Sequence, residues 1–236
     1  MKYRGLIHFH SQYSYDSILS IKDIVKFAVN NDINFLILTD HDTTEGSIAL
    51  KNYIDKNNLG IEVLIAAEYY TEYGDIIALD IQDETRDLQF DNFIKEVKKQ
   101  GGLLLLPHPY KGHKNIDYIA RNVDMIEVFN SRTDDAKNKK AQELAAKYKK
   151  NAYMASDAHN YRSLKKCIIE LEKKGNLKES LLQSPILPVS MRKTYLVEII
   201  LSQFIKSYKT KDIKLCFRQL KSIIKSIINL QFFKQV

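Results

Sequence analysis

Five of the six histidines sit at the ends of apolar runs, in His8-Phe9-His10, Thr39-Asp40-His41-Asp42, Pro107-His108-Pro109 and Ser156-Asp157-Ala158-His159. Glu68 follows another such run. Imidazoles and carboxylates delivered from several strand ends to one rim are how a β/α protein assembles a metal cluster, because each group supplies one lone pair and no single segment can surround an ion. A satisfied core imidazole is the ordinary account of one buried histidine; it is a poor account of all five at once.

The elements that must position these groups follow from the apolar pattern. Short runs rich in Ile, Leu and Val predict strands over 6–9, 35–38, 63–67, 76–81, 103–106, 125–129 and 152–155. Helical spacing predicts helices over 21–30, opened by Ser20 with Asp23 three residues on, 44–56, 88–100, ended by Gly101-Gly102, and 134–149. Continuous apolar strands alternating with helices are expected of a parallel β/α sheet covered on both faces. No Gly-rich phosphate loop follows the first strand, which argues against a nucleotide-binding open sheet. Ligands arriving at the ends of different strands favour a barrel, where those ends converge on one face.

Composition bounds the rest. The 236 residues are 44% hydrophobic and 28% charged, which suits one large globular domain. No stretch approaches the roughly 18 uncharged apolar residues of a spanning helix, and no cleavable signal precedes His8, so a cytoplasmic location is expected. Cys167 and Cys216 are far apart in sequence and in no CxxC arrangement, which argues against a disulfide framework or a thiolate zinc site. The net charge of +7 is uneven: residues 190–236 hold ten Lys/Arg against Glu198 and Asp212, whereas residues 1–189 are nearly neutral. The basic tail has apolar residues at helical spacing, first Leu196, Ile199, Ile200 and Phe204, then Ile213, Phe217, Leu220, Ile224, Ile227 and Ile228. It is expected to pack on the outside or bottom of the body with its lysines in solvent; contact with a polyanion or a membrane surface is the other reading. Pro185 and Pro188 mark the boundary, giving a body over 1–185 and a helical tail over 186–236.

The ordered set His8-Phe9-His10-Ser11, Tyr13-Ser14 with Asp16, Leu38-Thr39-Asp40-His41-Asp42-Thr43, Ala67-Glu68, Pro107-His108-Pro109, Ile126-Glu127-Val128-Phe129-Asn130-Ser131-Arg132 and Ser156-Asp157-Ala158-His159 resembles the PHP (polymerase and histidinol phosphatase) family over about residues 3–160. The resemblance implies an α/β fold, a distorted seven-stranded (β/α) barrel here followed by a C-terminal helical extension, and two or three divalent metal ions. By position, His8, His10, Glu68 and Asp157 would hold one ion, Glu68 would bridge to a second held by His108, and Asp16, His41 and His159 would hold a third. Zn, Mn or Fe would suit such mixed ligands. Glu68, Asp157 and His159 would be catalytic, and a metal-activated water would hydrolyse the phosphate ester.

The sequence departs from the family where a histidine often follows the bridging Glu. It reads Tyr73-Gly74-Asp75, so Asp75 or Glu127 would complete the second position, or water would. Asp40 is expected to orient an imidazole; Asp42 either does the same or caps the next helix. Arg132 either meets a substrate phosphate or is a solvated loop residue. His113, flanked by Lys111 and Lys114, is expected to be exposed. The resulting function is a metal-dependent phosphoesterase acting on a phosphorylated small molecule or a nucleic-acid end. A metal-stabilised binding or regulatory barrel that docks through its basic tail is the alternative from another class, and amide hydrolysis is a weaker third reading.

Overall fold

The computed structural model describes residues 2–221. Five strands, β1 (Lys2–Ile7), β2 (Phe35–Ile37), β3 (Glu62–Val63), β9 (Cys167–Glu172) and β10 (Leu187–Met191), form one sheet in the order β10-β9-β1-β2-β3. β1, β2 and β3 run parallel, while β9 is antiparallel to both neighbours. Five more, β4 (Ala66–Thr71), β5 (Gly74–Leu79), β6 (Leu103–Leu106), β7 (Met125–Asn130) and β8 (Asn151–Ala155), form a second sheet in chain order. There β4-β5-β6 is antiparallel and β6-β7-β8 parallel.

The expected closed seven-stranded barrel is therefore not seen as a continuous ladder among the described residues. Two isolated bridges, Phe9 to Ala158 and His41 to Glu68, link the sheets. Around them the His10 amide donates to Ala158 O (2.8 Å), Asp157 to His8 O (3.0 Å), Asp42 to Glu68 O (2.9 Å) and Glu68 to Asp40 O (3.1 Å). Every one of these bonds involves a candidate ligand or its immediate neighbour. The single strand expected over 63–67 divides for a local reason. Ala66 exchanges both backbone hydrogen bonds with the Ser47 hydroxyl, so Val63 ends in the first sheet and Ala66 begins the second.

Helices cover the outer faces, and three apolar clusters fill the interior: one between the sheets and one beneath the helices on each side. α1 (Ile21–Asn30) starts where Ser20 accepts from the Asp23 amide, as its sequence signature implies. α2 (Glu45–Lys56), α3 (Phe90–Lys99) and α5 (Asp135–Tyr148) lie within two residues of the expected helices, while α4 (Ile116–Asn122), α6 (Tyr161–Leu164) and α7 (Leu177–Gln183) are additional. Asp42 neither caps α2 nor orients an imidazole: it is exposed and accepts from the Tyr70 amide.

Gly46, in the first turn of α2, lets that helix approach the site. A methyl group there would fall 1.8 Å from Asp40 Oδ2. Gly46→Ala is expected to destabilise the fold by about 1–3 kcal/mol, the usual cost of overpacking, and an unchanged midpoint in chemical denaturation would contradict the close contact.

α8 (Leu196–Thr210) corrects the expectation for the tail. It lies across the rim rather than on the outside or bottom. Its inward residues are polar: Glu198 meets Lys166 at 3.6 Å, Ser202 accepts from Arg132 Nη2 at 2.8 Å, and Lys209 donates to the carbonyls of Gln12, Ser14 and Ser17 at 2.7–2.8 Å. Lys206 stacks over Tyr15, ammonium to ring centroid 4.3 Å. Residues 213–221 are again helical. Ile224, Lys225, Ile227, Ile228 and Lys234 lie outside the described residues. No helix among the described residues is long and apolar enough to cross a membrane.

Candidate metal centre

The strand ends bring the expected residues together. His8 and His10 follow β1, His41 follows β2, Glu68 and Asp75 face each other's neighbourhood on β4 and β5, His108 follows β6, and Asp157 and His159 follow β8. The side chains of His8, His10, Asp16, Glu68, His108, Asp157 and His159 are all buried. His8, His108 and Asp157 have positive φ (58°, 28° and 49°), a strained choice for these residues that turns each side chain off its strand end.

Four groups of potential ligand atoms result: His10, Asp16, His41 and His159; His8, His10 and Glu68; His8, His108 and Asp157; and Glu68, Asp75 and His108. Glu68 is central. Its Oε2 lies 3.4 Å from both His8 Nε2 and His10 Nε2 and 3.3 Å from His41 Nδ1, and its Oε1 lies 3.2 Å from His108 Nε2. Asp157 Oδ1 is 3.5 Å from His10 Nε2, and Asp16 Oδ2 is 2.9 Å from His159 Nε2 and 3.4 Å from His41 Nε2.

The donor set fits divalent ions. His8 Nε2, His10 Nε2, Asp16 Oδ1 and both Glu68 oxygens are buried without a hydrogen-bond partner. Buried polar atoms are seldom left so, and here they converge on one space with the nitrogen and oxygen mixture that Zn, Mn or Fe takes.

Neighbouring groups fix the ligands' orientation. Glu127 Oε1 accepts from His8 Nδ1 at 2.9 Å, which leaves Nε2 for the cluster; its Oε2 accepts from the His108 amide at 2.6 Å and from Asn130 Nδ2 at 3.0 Å. With both oxygens engaged, Glu127 is in none of the four groups. Asp40 reaches no imidazole directly: it accepts from the Ser11 amide and hydroxyl, both at 2.6 Å, and from Ser14 Oγ at 2.8 Å, and Ser14 in turn lies 3.3 Å from His10 Nδ1. Tyr15 stacks on His41 at 4.6 Å.

Arg132 is not a solvated loop residue. Its side chain is 7% exposed, with Nη1 against the His159 ring and 3.5 Å from Asp157 Oδ1. Lys111, half-exposed, approaches Asp157 Oδ2 to 3.6 Å. His113 is not exposed either: it covers Gly74, and its Nε2 donates to Asp75 O at 2.8 Å. Sequence reasoning missed Asn130, which donates to both Glu127 and Asp157, although it stands inside the quoted Glu127–Arg132 segment.

Charge balance at the site has a measurable consequence. Burial would raise Glu68, but His8 and His108 hold it well below the usual carboxylate range; burial would raise Asp157, but Arg132 and Lys111 hold it down. Burial together with Glu68 pushes Asp75 up to about 6. Burial, with His159 and His41 beside it, pushes His10 down to about 3. Burial opposes charge on His8 and His41 as well, yet Glu68 and Glu127 lift His8 well above the ordinary value, and Asp16 and Glu68 lift His41 to about 9. In the metal-free protein these two are cationic at neutral pH, whereas a ligating nitrogen must be unprotonated. Metal uptake is therefore expected to expel protons and to strengthen as pH rises, levelling off for His41 above about 9. Calorimetry in buffers of different ionisation enthalpy reads this directly; affinity that falls between pH 6 and 8 would contradict it.

A profile described as the PHP domain matches residues 7–198. The chain belongs to the PHP domain family. An uncharacterized protein of Methanocaldococcus jannaschii is 33% identical to this PHP chain over 159 residues, which cover 62% of the chain and 90% of the relative. Among solved structures, a two-domain Bacteroides vulgatus protein containing a predicted PHP-like metal-dependent phosphoesterase matches with TM-score 0.67 and 18% identity over 81% of the chain. The chain spans 65% of that structure's length. An amidohydrolase from Chromobacterium violaceum (TM-score 0.56, 15% identity, 80% of this chain and 93% of that one) and a lesion-specific endonuclease from Pyrococcus furiosus (0.56, 14%, 79% and 58%) share the fold.

Proposed function

We propose that this PHP-domain protein is a metal-dependent phosphoesterase that hydrolyses a phosphomonoester, or a nucleotide or nucleic-acid phosphate, at this rim. The observation that carries the reading is Glu68, a buried carboxylate with two unpartnered oxygens that face different imidazole sets. One carboxylate so placed suits two neighbouring ions. In this reading His8, His10, Glu68 and Asp157 hold one ion, Glu68, His108 and Asp75 a second, and Asp16, His41 and His159 a third. Bound there, zinc, manganese or iron supplies Lewis acidity, polarising a phosphoryl oxygen and making a water nucleophilic at neutral pH.

The chain's own groups do the rest. Glu127 and the Asp40–Ser14 pair hold His8 and His10 with Nε2 inward. Arg132 and Lys111 bring positive charge to the Asp157 side, where the non-bridging oxygens of a phosphate would be received. Asp75 in place of an imidazole favours a harder ion at the second position, Mn over Zn. All the ligands in this reading fall within residues 1–185, but β10 (Leu187–Met191) still pairs with β9 in the first sheet, so the expected boundary at 185 falls too early and the extension begins with α8. A cytoplasmic location belongs to the same reading.

The test is phosphate release by Mn-loaded wild type and by Asp157→Ala across sugar phosphates, nucleotides, phosphotyrosine peptide and short single-stranded oligonucleotides. Turnover that the substitution abolishes supports the reading, and the preferred substrate names the class. A loaded wild type that turns over nothing on the panel would shift weight to a metal-stabilised binding module.

A further inference from the structure

Helix α8 is amphipathic in the reverse sense to a packed helix. In α8 the buried positions include Glu198 and Ser202, whereas Val197, Leu201 and Tyr208, one stripe at helical spacing, are 69%, 47% and 84% exposed. In residues 213–221 Leu215 is buried, but Ile213 and Phe217, four residues apart, are left 69% and 60% exposed. Exposed Lys214, Arg218 and Lys221 border this second stripe about a quarter turn away, and exposed Lys211 joins the two segments. The extension's two acids are engaged internally, Glu198 with Lys166 and Asp212 as acceptor from the Leu215 amide. Its outward surface is therefore apolar and cationic.

We propose that this face docks the protein on an anionic phospholipid surface, the apolar stripe entering the boundary between headgroups and acyl chains and the bordering cations meeting lipid phosphates. The composition chooses this occupant over others. Aliphatic side chains outnumber aromatic ones on the stripe, whereas a nucleic acid would call for aromatic stacking platforms. A second copy of the chain would bring two basic faces together. Docking does not depend on the metal centre, so its failure is distinguishable from failure of the phosphoesterase reading.

The experiment is flotation of the full-length protein with vesicles of phosphatidylcholine alone and of phosphatidylcholine mixed with phosphatidylglycerol. Wild type is expected to float with the mixed vesicles only and to be released by high salt. Phe217→Glu and the double change Lys214→Glu/Arg218→Glu should each weaken flotation roughly tenfold or more, while Phe217→Leu retains it. Thermal unfolding matched to wild type keeps the exposed-site variants interpretable. The proposal is overturned if wild type ignores the mixed vesicles, if flotation is equal on neutral lipid or indifferent to these substitutions, or if Phe217→Glu instead abolishes self-association or oligonucleotide binding by a wild type that does not float.

Discussion

Glu68→Gln is expected to remove phosphoesterase turnover by at least about 10³-fold, because it keeps the shape of the side chain but takes the charge from the carboxylate that two ligand groups share. Glu127→Gln should cost only about 10–100-fold, the usual effect of a group that orients a ligand. The two carboxylates are comparably buried, so the contrast isolates position rather than burial. Metal stoichiometry by elemental analysis should fall with Glu68→Gln and hold with Glu127→Gln. Equal losses for both would mean that Glu68 is not shared.

Loading with Mn should raise the melting temperature by about 8–16 °C. At a free metal concentration about 1,000 times the dissociation constant, binding contributes about 4 kcal/mol, and a chain of this size gains about 2–4 °C per kcal/mol. The physical reason is that His8, His10 and His41 follow strands of the first sheet, whereas Glu68, His108, Asp157 and His159 belong to the second. An ion held by both ties together sheets that two isolated bridges link. Differential scanning fluorimetry with Mn and then with chelator measures the shift; a melting temperature indifferent to both would separate the centre from the fold's stability.

The candidate ligands were legible because residue type at the end of an apolar run carries most of the information: His8, His10, Glu68, His108 and Asp157 needed only their strand ends to converge. What escaped depends on partners far away in sequence. Nothing local marks Ser47 as the group that separates β3 from β4, or β9 as the partner of β1. His113 looks exposed between Gly112 and Lys114, and only the close passage of Gly74 lets it pack over that strand and reach the Asp75 carbonyl. The tail's spacing announced α8 and the helical turns over 213–221, but which face of α8 packs was decided by the rim, whose carbonyls and buried Arg132 take Lys209 and Ser202 and leave its apolar stripe outside.

The order of strands also governs how the protein can be made. Translation delivers the last candidate ligand at His159, yet the sheet behind His8 and His10 still lacks β9 and β10, which arrive only with residues 167–191. Until then β1 presents an open edge to its surroundings. A fragment ending near residue 160 would carry every candidate ligand on an unfinished scaffold, because the first sheet gains β9 and β10 only with some thirty further residues.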